Sequence, residues 1–406
     1  MILTDLNIDC LEGILEHLKY QDLLNVADSN GRLRHASKFV FVEKYANYEF
    51  KFDSDANCRD KDVYPSRLGK LNIEDLKTVL QTLRIFGSLI TRIDCIVMER
   101  PYITDYINEF CSETVSDIRF VKWRDGGLNY FFKKSFTRTK TVCIVSNGSN
   151  EQNSKLAEIF PRMQNLTLYA KCSSFMHSGY IVNHFPHLEY FKITPICLGN
   201  YIKDTECFEV LRNFLKLNPQ LKYLFMDCND HAAMDILQVF AENERKSKHL
   251  ELRNYHSNFS NIREKIYLRN VKQFTIAVRY IEKIPFLFDQ LETFEIDSWY
   301  PLPCIYDFLQ NNSTIKKLKI CINDLDYSKL ISILPLVEEI TDQSNISVDA
   351  VFHVITMFKY LKYFCFMNRE SEQFKARLND GWSIQNREKI YRSGVNREKV
   401  TLKRQM

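Results

Sequence analysis

Leu221-Lys222-Tyr223-Leu224-Phe225-Met226-Asp227-Cys228-Asn229 has the form LxxLxLxxN, and Ile315-Lys316-Lys317-Leu318-Lys319-Ile320-Cys321-Ile322-Asn323 has it again. Looser copies lie at Leu188–Ile193, Leu291–Ile296 and Leu361–Phe366, with shorter ones around Ile118, Val142, Leu166, Leu250, Phe274 and Ile340. Ile118, Val142 and Leu166 are 24 residues apart, as are Phe294 and Leu318, and Ile340 and Phe364. Other intervals are 20, 22, 25 and 26 residues, and Phe191 to Leu224 is 33. A chain repeating one short apolar motif at such a period is built from stacked supersecondary units.

The motif has a physical reading. Alternation with period 2 turns Leu224 and Met226 to one face and their neighbours to the other. One such strand cannot bury its apolar face alone, so copies stack into a parallel sheet. Helical returns are predicted at Lys155–Phe160, Phe208–Leu217, Ala232–Ala241 and Tyr327–Leu334, and Pro161, Pro186, Pro219 and Pro335 mark ends of returns. Period and motif are those of leucine-rich repeats. The fold expected over residues 92–368 is therefore α/β, a right-handed horseshoe with parallel strands inside and helices outside.

Working outward, Tyr48–Phe52 alternates like a first strand, and Ser54–Arg67 is polar and loop-like. Leu76, Val79, Leu80, Leu83 and Phe86 predict a helix leading to a strand near Ile93, so residues 41–91 are expected to link and cap the repeats. At the other end, Asn-Arg-Glu-Lys occurs at 386–389 and at 396–399, each followed by apolar alternation. Trp382, Ile384, Ile390, Val400 and Leu402 make residues 369–406 a cap on the last open strand rather than a solvated arm.

Composition narrows the function. The 406 residues are 45% hydrophobic and 26% charged, and the net charge is +4. From Arg369 onward ten Lys/Arg face five Asp/Glu, which leaves the rest of the chain near −1. A body without basic character argues against general nucleic-acid binding. Asp5, Asp9 and Glu12 interrupt the N-terminal apolar stretch, so no signal peptide is expected there, and no apolar run is long enough to span a bilayer. The twelve cysteines include no CxxC pair and read as small buried hydrophobes of a reducing compartment, cytoplasm or nucleus.

The first forty residues carry a different pattern. Leu11, Ile14, Leu15 and Leu18 fall at i, i+3, i+4 and i+7, one stripe on a helix, with Asp9 and Glu12 spaced as a capping box. Asp22 is placed to cap a second helix bearing Leu23, Leu24 and Val26, and Asn30-Gly31 to stop it. The run Leu6–Leu18, then Asp22-Leu23-Leu24, then Arg32-Leu33-Arg34, resembles an F-box, the helical module that docks on the Skp-type adaptor of SCF ubiquitin ligases. Asn7 stands where that family usually has Pro, and Leu33 where it usually has Trp.

With the repeats behind it, this module makes the whole chain resemble the F-box/leucine-rich-repeat family, substrate receptors of SCF ligases. The resemblance implies that residues 1–40 bind the adaptor, and through it a cullin-RING ligase, by Leu6, Ile8, Leu11, Ile14, Leu15, Leu18, Leu23, Leu24 and Leu33. It implies no catalysis, no metal and no cofactor, only proximity between a protein target and a charged enzyme. The target is expected on the exposed strand positions Tyr169, Tyr190, Lys192, Tyr223, Phe225, Asp227, Arg253, Tyr255, Glu295 and Asp297, where aromatics and Arg favour hot spots. The long interval near Ile196–Asp204 adds a candidate binding loop. A repeat scaffold whose F-box no longer engages the adaptor is the alternative, and nucleic-acid binding through the basic tail the third reading.

Motif searches find no Walker loop, HExxH, GxSxG or dinucleotide fingerprint. His184-Phe185-Pro186-His187 is expected to be a surface turn, because Pro186 breaks the helix that would aim two imidazoles at one metal. Asp227-Cys228-Asn229-Asp230-His231 reads as a strand end and turn, Asp125-Gly126-Gly127 as a turn, and Lys133-Lys134 with Arg138 and Lys140 as a solvated cluster.

Overall fold

The computed structural model describes residues 3–52, 69–96, 101–122, 132–146, 155–170, 184–195, 205–227, 233–242, 248–254, 265–278, 282–298, 302–322, 325–368, 378, 381–392 and 395–405. Ser54–Arg67, Asp125–Gly127 and Ile196–Asp204 lie outside them. It is a mixed α/β chain dominated by parallel strands, and it divides into two compact units, Met1–Gly199 and Asn200–Met406.

The first unit opens with three helices rather than a hairpin: α1 (Ile8–Leu15), α2 (Tyr20–Ser29) and α3 (Gly31–Tyr45). The cap of α1 is Asn7, whose Oδ1 accepts the Cys10 N–H at 2.8 Å. The expected Asp9–Glu12 box does not form the cap. Asp9 sits inside the first turn, where its charge suits the positive end of the helix. Asp22 likewise lies within the first turn of α2, because the helix already begins at Tyr20. Asn30 does end α2, and its Oδ1 accepts the Arg32 N–H at 2.8 Å to start α3.

Packing does not stop at residue 40. The Phe41 ring stacks on Phe86 with centroids 4.2 Å apart and lies 5.6 Å from Phe50. Phe86 ends α4 (Leu76–Phe86), the predicted helix, and Phe50 belongs to β1 (Glu49–Phe52), the predicted first strand. Tyr20 shares a hydrogen bond of 2.6 Å with Thr82, and Asp28 accepts from Gln81 at 3.0 Å and from Arg84 at 2.6 Å. Helical module and first strand therefore share one aromatic core.

That unit's sheet runs in the order β2-β1-β3-β4-β5-β6-β7, all parallel, where β2 is Lys70–Ile73, a strand the sequence pattern did not single out. The others are β3 (Arg92–Ile96), β4 (Asp117–Lys122), β5 (Thr141–Ser146), β6 (Asn165–Ala170) and β7 (Tyr190–Pro195). Ile93, Ile118, Val142, Leu166 and Phe191 are successive Cα partners, so the spacing read in the sequence is the register of the sheet. Between β3 and β4 lies α5 (Pro101–Phe110), and between β5 and β6 a short α6 (Leu156–Ile159).

The second unit begins with α7 (Thr205–Leu217) and the strands β8 (Tyr223–Asp227) and β9 (Lys248–Asn254), separated by α8 (Ala233–Glu242). Two further strands, β10 (Ile266–Leu268) and β12 (Phe286–Phe288), flank β11 (Val271–Val278) in sequence and pair with each other as a separate parallel ribbon. The main sheet continues through β13 (Thr293–Ser298), α9 (Ile305–Asn311), β14 (Lys317–Cys321), α10 (Tyr327–Ile333), β15 (Glu339–Asn345), α11 (Val348–Met357) and β16 (Tyr363–Asn368). Leu224, Leu250, Phe274, Phe294, Leu318, Ile340 and Phe364 are in register. The 20-residue interval from Phe274 to Phe294 returns through β12, not a helix. An extended residue covers about 3.3 Å against 1.5 Å in a helix, so fewer residues suffice.

The chain closes with an antiparallel hairpin, β17 (Trp382–Arg392) and β18 (Val395–Arg404). β18 pairs with β16, Leu402 opposite Phe364 and Val400 opposite Phe366, and covers the edge that β16 would leave open. Trp382, Val400 and Leu402 are buried, Ile384 is half-buried, and Ile390's side chain lies outside the described residues.

Lys248, Ser298 and Asp342 are inward strand positions that break the apolar rule. Asp342 is buried on β15; its carboxylate accepts from the Ser344 N–H at 2.7 Å, the Ser344 hydroxyl at 2.5 Å and the Tyr327 hydroxyl. Burial raises its pKa above 3.8 against the lowering by those bonds. The folded state then holds the proton more tightly than the unfolded one. Its contribution is full below 3.8 and is lost as pH rises through the raised folded value. Urea midpoints of the protein and of Asp342→Asn should therefore shift in the variant's favour as pH climbs through that window. A pH-independent difference would sink this assignment.

Candidate functional site

Two surfaces bear on function, one on the helical module and one on the sheet. Leu11, Leu15, Leu23, Leu24 and Leu33 are buried within the module, so the structure corrects their assignment as adaptor-facing residues. They are its core, because three short helices meeting at α3 turn their leucine stripes toward one another. Leu6, Ile8 and Leu18 are half-buried, and Ile14 is 44% exposed. The exposed apolar set also contains Leu3, Phe39 and Val42, which the sequence reading did not name. In the run Phe39-Val40-Phe41-Val42, Val40 and Phe41 go inward and Phe39 and Val42 outward. His35 meets Phe39 edge-on with centroids 5.1 Å apart, one turn away on the same face. Lys44 ties the module shut by donating to the carbonyls of Glu16 and Leu18.

On the sheet, alternation holds at every inward position named. Leu166, Leu168, Phe191, Ile193, Leu224, Met226, Leu250, Leu252, Phe294 and Ile296 are all buried. The opposite, open face is not uniformly exposed. In the first unit Tyr190 is 47% exposed and Lys192 half-buried, but Tyr169 is buried with Val121, Cys143 and Val145 on that same face. The Lys192 ammonium stands 5.9 Å from the Tyr169 ring centre. In the second unit Phe225 is 1% exposed, and the Arg253 guanidinium lies 5.2 Å above it. Tyr169 and Phe225 are therefore not bare rings awaiting a target. A cation from the neighbouring strand covers each, an arrangement worth about 0.5–1 kcal/mol at exposed sites.

The second unit gathers Tyr223, Phe225, Arg253, Glu295 and Asp297 on strands β8, β9 and β13, with β11 between the last two. Asp227 is placed by register opposite Arg253; its side chain and all of Tyr255 lie outside the described residues. The Tyr223 hydroxyl donates to Glu251 at 2.6 Å, and His249 lies edge-on to the Tyr223 ring at 4.8 Å. His249 Nε2 shares a hydrogen bond of 3.1 Å with Thr275. Burial pushes the His249 pKa down to about 4 although Glu295 pulls it up, so the ring is neutral near pH 7. Burial and the carboxylates of Glu251 and Glu295 hold the Tyr223 pKa above its ordinary value. Lys319 pairs with Glu295, and Lys317 pairs with Glu339 at 2.8 Å. His249, Glu251, Thr275 and Lys319 share that face but were not among the residues named from the sequence, which did not take every second position of each strand.

Other sequence candidates are ordinary surface. His184 and His187 are exposed around the turn at Pro186, and Lys133 pairs with Asp105 at 2.7 Å. Asp227 ends β8, and residues 228–232 lie outside the described residues. Cys95, Cys111 and Cys143 are buried as expected, but Cys10 is exposed in the first turn of α1. Among the described residues no group of three or more His, Cys, Asp or Glu could hold a metal, and no helix is long and apolar enough to cross a membrane. Neither protein-family models nor curated proteins match this chain.

Proposed function

We propose that the chain is the substrate receptor of an SCF-type ubiquitin ligase, in which an F-box (α1–α3) binds a Skp-type adaptor and leucine-rich repeats hold a protein target. The observation that carries the reading is the pairing of these two parts. A leucine-cored three-helix module with Ile14, Phe39 and Val42 exposed precedes parallel strands repeating at about 24 residues. Such a chain does no bond chemistry and contributes proximity. Its repeats curve as a horseshoe with the open strand face on the concave side, and it works in cytoplasm or nucleus.

The test uses outward residues, because charging buried Leu15 would unfold the module rather than probe docking. Ile14→Asp should cut adaptor capture at least tenfold, about 1.4 kcal/mol, while the circular dichroism spectrum and melting temperature stay unchanged. Adaptor capture equal to the parent, or none by either protein, would leave a repeat scaffold that assembles into no ligase.

A further inference from the structure

The closing hairpin covers β16 but leaves an edge of its own. Among the described residues β17 pairs only with β18, so its other side is an edge of 11 residues, Trp382–Arg392. In an antiparallel pair every second residue turns its N–H and C=O away from the partner. β17 thus presents donors and acceptors at strand spacing, the pattern to which another strand adds. The register is irregular only between Ile384 and Asn386, and from Asn386 to Arg392 it runs without a break.

Charge selects the occupant. Residues 382–404 hold seven Lys/Arg and two Asp/Glu, whereas residues 369–381 hold three of each, so the tail's positive excess belongs to the hairpin. Arg387 lies opposite Val400 and Lys389 opposite Glu398, two positions apart and therefore on one face. Glu398 stands 3.9 Å from the Arg387 guanidinium, and Lys389 is exposed. Glu388 points to the other face, opposite Lys399. A second copy of this chain would bring the same positive edge against this one, and charged edges keep like strands apart. A nucleic acid would meet the cations but leave the outward carbonyls without donors. An acidic strand satisfies both the edge and the charge.

We propose that the outer edge of β17 docks an extended acidic segment of a partner protein, which joins the sheet as a further strand. Main-chain hydrogen bonds hold it, and carboxylates at every second position lie against Arg387 and Lys389. This goes beyond the ligase reading and rests neither on adaptor binding nor on the open sheet face.

The experiment measures fluorescence anisotropy of the full chain with fluorescein-labelled Thr-Glu-Val-Glu-Val-Glu-Thr, its Lys counterpart and an oligothymidine, at fixed low salt. The Glu peptide should bind, and its affinity should fall at least tenfold in Lys389→Glu at an unchanged melting temperature. Two further forms of the Glu peptide are N-methylated on the Glu or on the Val residues; each keeps every charge, and one of them removes the N–H groups that face the edge. At least one should bind tenfold more weakly. Absence of Glu-peptide binding up to millimolar concentration, equal binding of the Lys peptide, or indifference to Lys389→Glu would overturn the proposal. So would full affinity of both methylated forms, which would reduce the site to charge alone, or tighter binding of the oligothymidine, which would assign the hairpin to nucleic acid. Adaptor capture measured on the same preparations reads the ligase assignment separately, so either can fail alone.

Discussion

Phe41→Ala should lower the stability of the first unit by about 3–5 kcal/mol, the range for deleting a buried aromatic ring. The ring is fully buried and touches Tyr45, Phe50 and Phe86, which come from α3, β1 and α4. Surrounding structure relaxes only partly around a deleted buried side chain, so the cost includes a cavity as well as lost transfer energy. Urea unfolding followed by circular dichroism measures it. Because the module and first strand share this core, Phe41→Ala and Phe86→Ala should be non-additive, since residues in contact couple. Additive losses, or a change under 1 kcal/mol, would mean that the helices pack independently of the sheet. Adaptor capture should then weaken only when the module melts, which separates this core role from the docking role assigned to Ile14.

Truncation after Asn379 is expected to be more damaging still. It removes the hairpin, and with it the buried Trp382, Val400 and Leu402. At about 1.5–3 kcal/mol for each large buried side chain, the loss is comparable with the whole stability of a typical domain. It also uncovers the edge of β16, where Phe364 and Phe366 would lose Leu402 and Val400. An open edge of that kind recruits other chains. Size-exclusion chromatography with light scattering should show aggregation, and melting should begin at lower temperature. A truncated chain that stays monomeric and melts like the parent, but loses RNA or DNA binding, would favour the basic tail as a nucleic-acid arm. The paired strands argue for a lid on the sheet: Lys399 and Lys403 project from a strand whose alternate residues are fully buried.

Much of the sheet was legible because its signal is local and repeated. Leu224 opposite Leu250 and Ile340 opposite Phe364 follow from spacing alone, since each repeat adds one strand to the same stack. The strand at Lys70–Ile73 was not legible: its pattern is short and polar, and pairing with β1 defines it. The ribbon of Ile266–Leu268 with Phe286–Phe288 was hidden for a related reason, three-residue strands being too short to show a period.

The site was less legible than the fold. Periodicity names the face of a strand but not what lies over it, so Tyr169 and Phe225 looked exposed until Lys192 and Arg253 were seen above them. In the helices, the stripe Leu11, Leu15, Leu23, Leu24 told that these residues would be covered, not by what. Both a partner's groove and the module's own core satisfy the same pattern. The amino-acid sequence by itself determined the strand register, the helical nature of the first forty residues and the closing strands. Only the tertiary structure decided that the module's leucines cover one another, that Phe41 joins it to the sheet, and that cations from neighbouring strands stand over Tyr169 and Phe225. The reason is physical: a period records which side of an element avoids water, while its occupant is set by residues far away in the chain.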